Sequence, residues 1–148
     1  MNHIEKSGPV LAVDWGEKRL GIAISDLTHT LARPLTILNA KSRRENSVDI
    51  AAIARKHHCT SVVVGASYDD FGELTPSGRR AKRLADALDA TLDANVLIFD
   101  ESHSTRRAKQ NQISLGSSRK KRKGHLDAKA AAVFLQSYLD EQLQDEKL

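Results

Sequence analysis

Residues 61–65, "SVVVG", are an unbroken β-branched run, and a run of that kind belongs to a strand covered on both faces. Two further apolar runs, "VLAV" at 10–13 and "NVLIF" at 95–99, each lead into acidic residues. Helical spacing appears between them. Ile50, Ile53 and Ala54 share a face within residues 47–57, and Ala81, Leu84, Ala85 and Leu88 do so in a segment that starts at Pro76 and reaches about residue 92. Strands that alternate with helices in this way build a sheet with helices on both faces, and the carboxyl ends of its parallel strands meet at one edge.

The N-terminal part adds antiparallel strands. After the turn Trp15-Gly16-Glu17-Lys18, the residues Leu20, Ile22 and Ile24 alternate with Gly21, Ala23 and Ser25, which predicts a hairpin. Residues 35–38 predict a short third strand that begins after Pro34. Residues 105–113 give a weaker helix, and an Ala-rich helix over 126–144 carries Leu135, Tyr138 and Leu139 in its apolar stripe. The order β-β-β-α-β-α-β-α predicts an α/β domain with a mixed five-stranded sheet. At 148 residues the chain suits a single domain, 1–148, with a core that needs no disulfide. Cys59 is alone, and the polar start "MNHIEKSGP" lacks an apolar signal core. The expectation is a soluble cytoplasmic protein without a membrane span. No feature demands more than a monomer or weak homodimer.

Charge points to an anionic partner. The formal net charge is +4, and six basic residues crowd the segment 116–125, "GSSRKKRKGH", which predicts a flexible loop. Aromatic residues make up only 4% of the chain, so contact with nucleic acid would rest on phosphates more than on stacking.

Five acids compete for a chemical role. If the first hairpin turns at 15–18, Asp14 pairs near Arg19 and Asp26 lies about seven residues on, more than roughly 20 Å away at about 3.4 Å per residue. Asp100 and Glu101 close the last strand and point to opposite faces, so one of them can join Asp14, and periodicity does not choose. Asp127 opens the last helix on the face of Ala130, Ala131, Phe134 and Tyr138. Each acid also has a plainer reading: a turn residue for Asp14 and Asp26, a helix cap for Asp127, a solvated loop acid for Glu101. Acids forced together from two strand ends and a helix start need Mg²⁺ or Mn²⁺ to offset their repulsion, and a pair of such ions about 4 Å apart cleaves phosphodiesters.

The blocks "LAVDWGEKRLGIAISD", "SVVVG", "DESHST" and "HLDAKAAAVFLQSYLD" resemble, in order and spacing, those of the YqgF/RuvX family of Holliday-junction-resolvase-like proteins, over residues 9–140. The resemblance implies an RNase H-like fold with a two-metal site at Asp14, Glu101 and Asp127, and so selects Glu101 over Asp100. It implies a nuclease acting on structured RNA, in processing of small-subunit (pre-16S) ribosomal RNA. It places candidate nucleic-acid contacts at Lys18 and Arg19 and at Ser104 and Thr105. The basic residues Arg119, Lys120, Lys121, Arg122 and Lys123, close before Asp127, are further candidates for phosphate contact. His103 and His125 are candidates to assist proton transfer. Two positions depart from the family pattern: Ser102 stands where Arg is usual, and Ala66-Ser67 where Leu-Pro is usual. A Holliday-junction or branched-DNA resolvase is the alternative activity, and the missing cation at Ser102 gives weight to a non-catalytic ribosome-assembly factor. Nucleotide binding of the actin-like kind would need a second domain that 148 residues do not supply.

Overall fold

The computed structural model describes residues 8–101 and 119–147, with side chains over 8–101 and 128–145. Its strands are β1 (Val10–Asp14), β2 (Arg19–Ser25), β3 (Ala32–Asn39), β4 (Ser61–Ala66) and β5 (Asn95–Asp100). Its helices are α1 (Arg43–Lys56), α2 (Pro76–Thr91) and α3 (Arg119–Lys147). The sheet order is β3-β2-β1-β4-β5, antiparallel on the β3 side of β1 and parallel on the β5 side. This is the mixed sheet and the element order that the sequence predicts.

Side-chain alternation divides the core into two layers. Leu11, Val13, Ile22, Val62 and Val64 pack with Ile50 and Ala54 of α1 and with Leu84 and Leu88 of α2. Val10, Ala12, Ala23 and Val63 face the other way, onto Ala131, Phe134, Leu135 and Leu139 of α3. Covering both faces of β1 and β4 is what an all-apolar strand requires, and each fully buried Val, Leu, Ile or Phe side chain contributes about 1.5–3 kcal/mol. No helix among the described residues is long and apolar enough to cross a membrane.

Several boundaries differ from the sequence reading. Helix α1 starts four residues early, because Ser42 caps it: its Oγ accepts from the Glu45 N–H at 3.1 Å and bonds the Glu45 carboxylate at 3.0 Å. Strand β3 runs through Pro34, which an edge strand tolerates, and the register slips by one residue opposite Ile22 and Ala23. Gln136 of α3 clamps the start of β3, accepting from the Ala32 N–H at 2.9 Å and donating to the Thr30 carbonyl at 2.8 Å. Strand β5 lies at the edge of the sheet, and Leu97 is 42% exposed. The backbone of α3 reaches back to Arg119, so the later part of the expected 116–125 loop is helical. The helix expected at 105–113 lies outside the described residues.

Candidate active site

Asp14 ends β1, and Glu101 directly follows β5. Strand β4 lies between them, and Glu101 stands two residues beyond Phe99, which is level with Asp14, so their backbones are on the order of 12 Å apart. Alternation aims both side chains to one face. Asp14 continues the set Val10 and Ala12, and Glu101 continues the set of Phe99, all on the α3 side. Val96 and Ile98 pack into the opposite layer, and Asp100 shares their parity. Glu101 thus shares a face with Asp14, and Asp100 points to the other. The Glu101 N–H extends the ladder by donating to the Ala66 carbonyl at 3.1 Å.

Gly65 lets the two carboxylates meet. It pairs with Asp14 on one side and Phe99 on the other, at the point between the acids where a side chain would stand. A Cβ at Gly65 would lie 2.8 Å from Glu101 Oε2 and 3.0 Å from Phe134 Cε1. The floor is aromatic. Phe99 stacks on Phe134 with centroids 6.3 Å apart and meets Tyr138 edge-on at 5.7 Å.

This apolar floor shapes the electrostatics. Burial pushes the Glu101 carboxyl above its ordinary range, a hydrogen bond with Asp14 opposes that rise, and the charge of Asp100 adds to it. Two carboxyls in hydrogen-bond contact on a half-buried surface share either a proton or a cation. Their hard carboxylate oxygens suit Mg²⁺ or Mn²⁺, and among the described residues no third acid, histidine or cysteine joins them in a metal-holding cluster.

The other expected site residues divide clearly. Asp127 belongs to α3, and helical spacing puts it in one stripe with Ala131, Phe134 and Tyr138; its side chain lies outside the described residues. Arg19 is half-buried at the start of β2 and shares its face with Gly21, which pairs with Asp14. That register corrects the expected pairing of Asp14 near Arg19. Gly16 bends the loop so tightly that a Cβ there would sit 2.5 Å from the Arg19 carbonyl oxygen, and pairing resumes only at Gly21. Lys18 is exposed on the turn, and its carbonyl accepts from the Ala40 N–H at 2.9 Å. Ser102, His103, Ser104 and Thr105 lie outside the described residues, as do the side chains of Arg119, Lys120, Lys121, Arg122, Lys123 and His125.

Asp26 is a turn residue. Its Oδ1 accepts from the N–H groups of Thr30 at 2.8 Å and Leu31 at 3.2 Å, and its Oδ2 from the Thr28 hydroxyl at 2.8 Å. The Thr30 N–H, ahead of the other donors, draws its pKa below the ordinary value. It stands five residues beyond Gly21, roughly 17 Å from the level of Asp14. The residue that sequence reasoning missed is Gly65. Its signal was present, since a glycine closing a β-branched run marks a close approach.

A family profile described as "RuvX: Holliday junction resolvase" matches residues 8–141. A protein of Chloroflexus aurantiacus named "Putative pre-16S rRNA nuclease" is 37% identical over 131 residues, 88% of this chain and 86% of that one. One of the same name from Caldanaerobacter subterraneus is 37% identical over 134 residues, 90% of this chain and 96% of that one. Among solved structures, T. thermophilus RuvC in complex with a Holliday junction substrate superposes with a TM-score of 0.59 at 15% identity, covering 93% of this chain and 96% of that one. Fowlpox virus resolvase with its Holliday junction DNA gives 0.53 at 17% identity, covering 91% of this chain and 99% of that one. These two likenesses establish the fold, which is RNase H-like.

Proposed function

The chain belongs to the RuvX family of Holliday-junction-resolvase-like proteins, and from that premise we propose that it is a divalent-metal-dependent nuclease that hydrolyses phosphodiester bonds in small-subunit ribosomal RNA precursors in the cytoplasm. The observation that carries the reading is the pair Asp14 and Glu101, brought together across Gly65 from strands that are not neighbours. The names of the relatives supply the substrate.

Asp14, Glu101 and Asp127 would hold Mg²⁺ or Mn²⁺, which supplies Lewis acidity and charge neutralisation for attack on a phosphodiester. The protein's own residues do the rest. Asp14 is fixed by the β1–β4 ladder, and Glu101 by its N–H on Ala66 and by the aromatic floor. Phe99, Phe134 and Tyr138 keep water from beneath the carboxylates and so strengthen their pull on a cation. Arg19, on the same face, offers a guanidinium to phosphate. Lys18, Ser104, Thr105 and the basic residues Arg119, Lys120, Lys121, Arg122 and Lys123 are the further candidates for phosphate contact.

The solved structures of like fold hold Holliday junctions, so branched DNA is the second substrate to assay. The experiment is cleavage of a pre-16S RNA fragment and of a four-way DNA junction by purified protein with Mg²⁺ or Mn²⁺. Cleavage of one substrate is expected, lost in Asp14→Asn and in Glu101→Gln when both variants are folded by circular dichroism. Parental rates in those variants would refute the site. Strand binding without metal-dependent turnover would assign the chain as a binding factor instead.

A further inference from the structure

The acid pair occupies the α3 side of the sheet's carboxyl edge, and the other side of that edge carries a feature the proposed chemistry leaves unused. Strand β3 runs antiparallel to β2, and β2 to β1, so β3 ends at the same edge as β1 and β4. Helices α1 and α2 follow β3 and β4, which brings their N-terminal turns to that edge. Between them opens a cleft of about 200 Å³, lined by Trp15, Lys41, Arg43, Arg80, Arg83 and Leu84.

Four of these residues are cations, and acids offset them poorly. Glu17 lies 3.7 Å from Arg80 and Asp49 lies 3.8 Å from Lys41, with every side chain in both pairs more than 40% exposed. Such pairs are worth little in water. Among the described residues, no ion pair involves Arg43 or Arg83. The cleft is also built rather than incidental. The Arg80 guanidinium sits over the Trp15 ring at 5.6 Å from its centroid, which sets indole and guanidinium against each other. Asn46 holds the entry to α1, accepting from the Lys41 N–H at 2.7 Å and donating to the Asn39 carbonyl at 3.1 Å.

Trp15 directly follows Asp14, so the loop at 15–18 is the ridge between this cleft and the acid pair. A flexible strand that crosses the ridge meets cations on one side and carboxylates on the other. The cleft is too small for a duplex and admits a phosphate with its neighbouring sugar. We propose that it grips the phosphates of a single-stranded segment of the nucleic acid whose scissile bond lies at Asp14 and Glu101. The identity of that nucleic acid rests on the nuclease reading; the charge of the cleft does not.

Trp15 is the only tryptophan in the chain, so its emission reports the cleft directly. The test is titration of metal-free protein in EDTA with a labelled single-stranded RNA, followed by anisotropy and by Trp15 emission across a range of salt. Binding should change the emission. The slope of log K against log salt should shrink by roughly 0.7 in Lys41→Gln and by roughly 1.4 in Arg43→Gln/Arg83→Gln, as single-strand phosphate contacts predict. Asp14→Asn, which tests the nuclease reading, should keep both the slope and the emission change; lost cleavage with retained binding separates the two ideas. Unchanged slopes in the cleft variants, or emission that ignores RNA, would overturn the proposal. So would saturation of the emission change by inorganic phosphate or AMP at the phosphate concentrations where RNA acts, which would make the cleft a small-anion pocket.

Discussion

Replacing Gly65 by alanine tests the geometry of the acid pair with one methyl group. The new Cβ would stand 2.8 Å from Glu101 Oε2 and 3.0 Å from Phe134 Cε1, where ordinary contacts begin at about 3.5 Å. Something must move by roughly half an ångström or more. Phe134 is 1% exposed and stacked on Phe99, so its displacement would cost on the order of 1–3 kcal/mol as overpacking. Glu101 sits at the rim of the sheet and yields more easily, and its carboxylate swings away from Asp14. Restricting the unfolded chain by a Gly→Ala change returns about 0.4–1 kcal/mol. The net loss of stability is therefore small, about 0–2 kcal/mol, or a fall of a few degrees in melting temperature at about 2–4 °C per kcal/mol. The chemistry suffers more, because misplacing a reacting group by about 1 Å costs about 10²-fold. Initial rates on the cleaved substrate at saturating Mn²⁺, with thermal melting of the same samples, decide the matter. A Gly65→Ala protein that cleaves at the parental rate would refute the argument. A melting temperature that collapses would refute it too, since the methyl would then have displaced Phe134 and not Glu101.

Two further outcomes follow from the titrating groups. The Glu101 carboxyl sits above its ordinary value of 4.5, so the folded state keeps a proton that the unfolded chain gives up, and stability falls as pH rises through that range. Metal-free Glu101→Gln should therefore melt above the parent at neutral pH, with the difference closing as pH is lowered toward 4.5; a gap that widens on acidification would sink the assignment. Asp26 has the opposite sign, since its hydrogen bonds hold its pKa below 3.8. Its contribution is present above that value and lost as pH falls through the folded pKa, so Asp26→Ala should lower stability in urea melts at neutral pH, by an amount that shrinks as the pH is taken down through the folded pKa.

The sheet was legible because alternation and run length are local properties. "SVVVG" needed both faces covered, and β4 lies between β1 and β5 with apolar layers above and below. The exclusion of Asp26 survived as well, although the distance shrank because Asp14 pairs with Gly21 and not near Arg19. What stayed hidden depended on neighbours distant in sequence. The choice between Asp100 and Glu101 needed the knowledge that Phe99 faces α3 while Val96 and Ile98 face α2. Both runs are apolar, and nothing in their spacing says which face meets Asp14. The start of α1 was missed because Arg43 and Arg44 carry no apolar signal, and the capping pair Ser42 and Glu45 alone marks it. Arg80 and Arg83 of α2 gave no signal of their own in the sequence, and it is the fold that sets them beside Trp15.

The strand at the antiparallel end of the sheet bears on how the molecule behaves among copies of itself. An unpaired strand edge is ordinarily a template on which another chain can add. Along β3 that template is spoiled three times over: Gln136 occupies the Ala32 N–H and the Thr30 carbonyl, Pro34 offers no donor, and the slip beside it breaks the repeat. The sheet therefore terminates at β3 instead of growing there, which guards a chain with so β-branched a centre against fibrous aggregation.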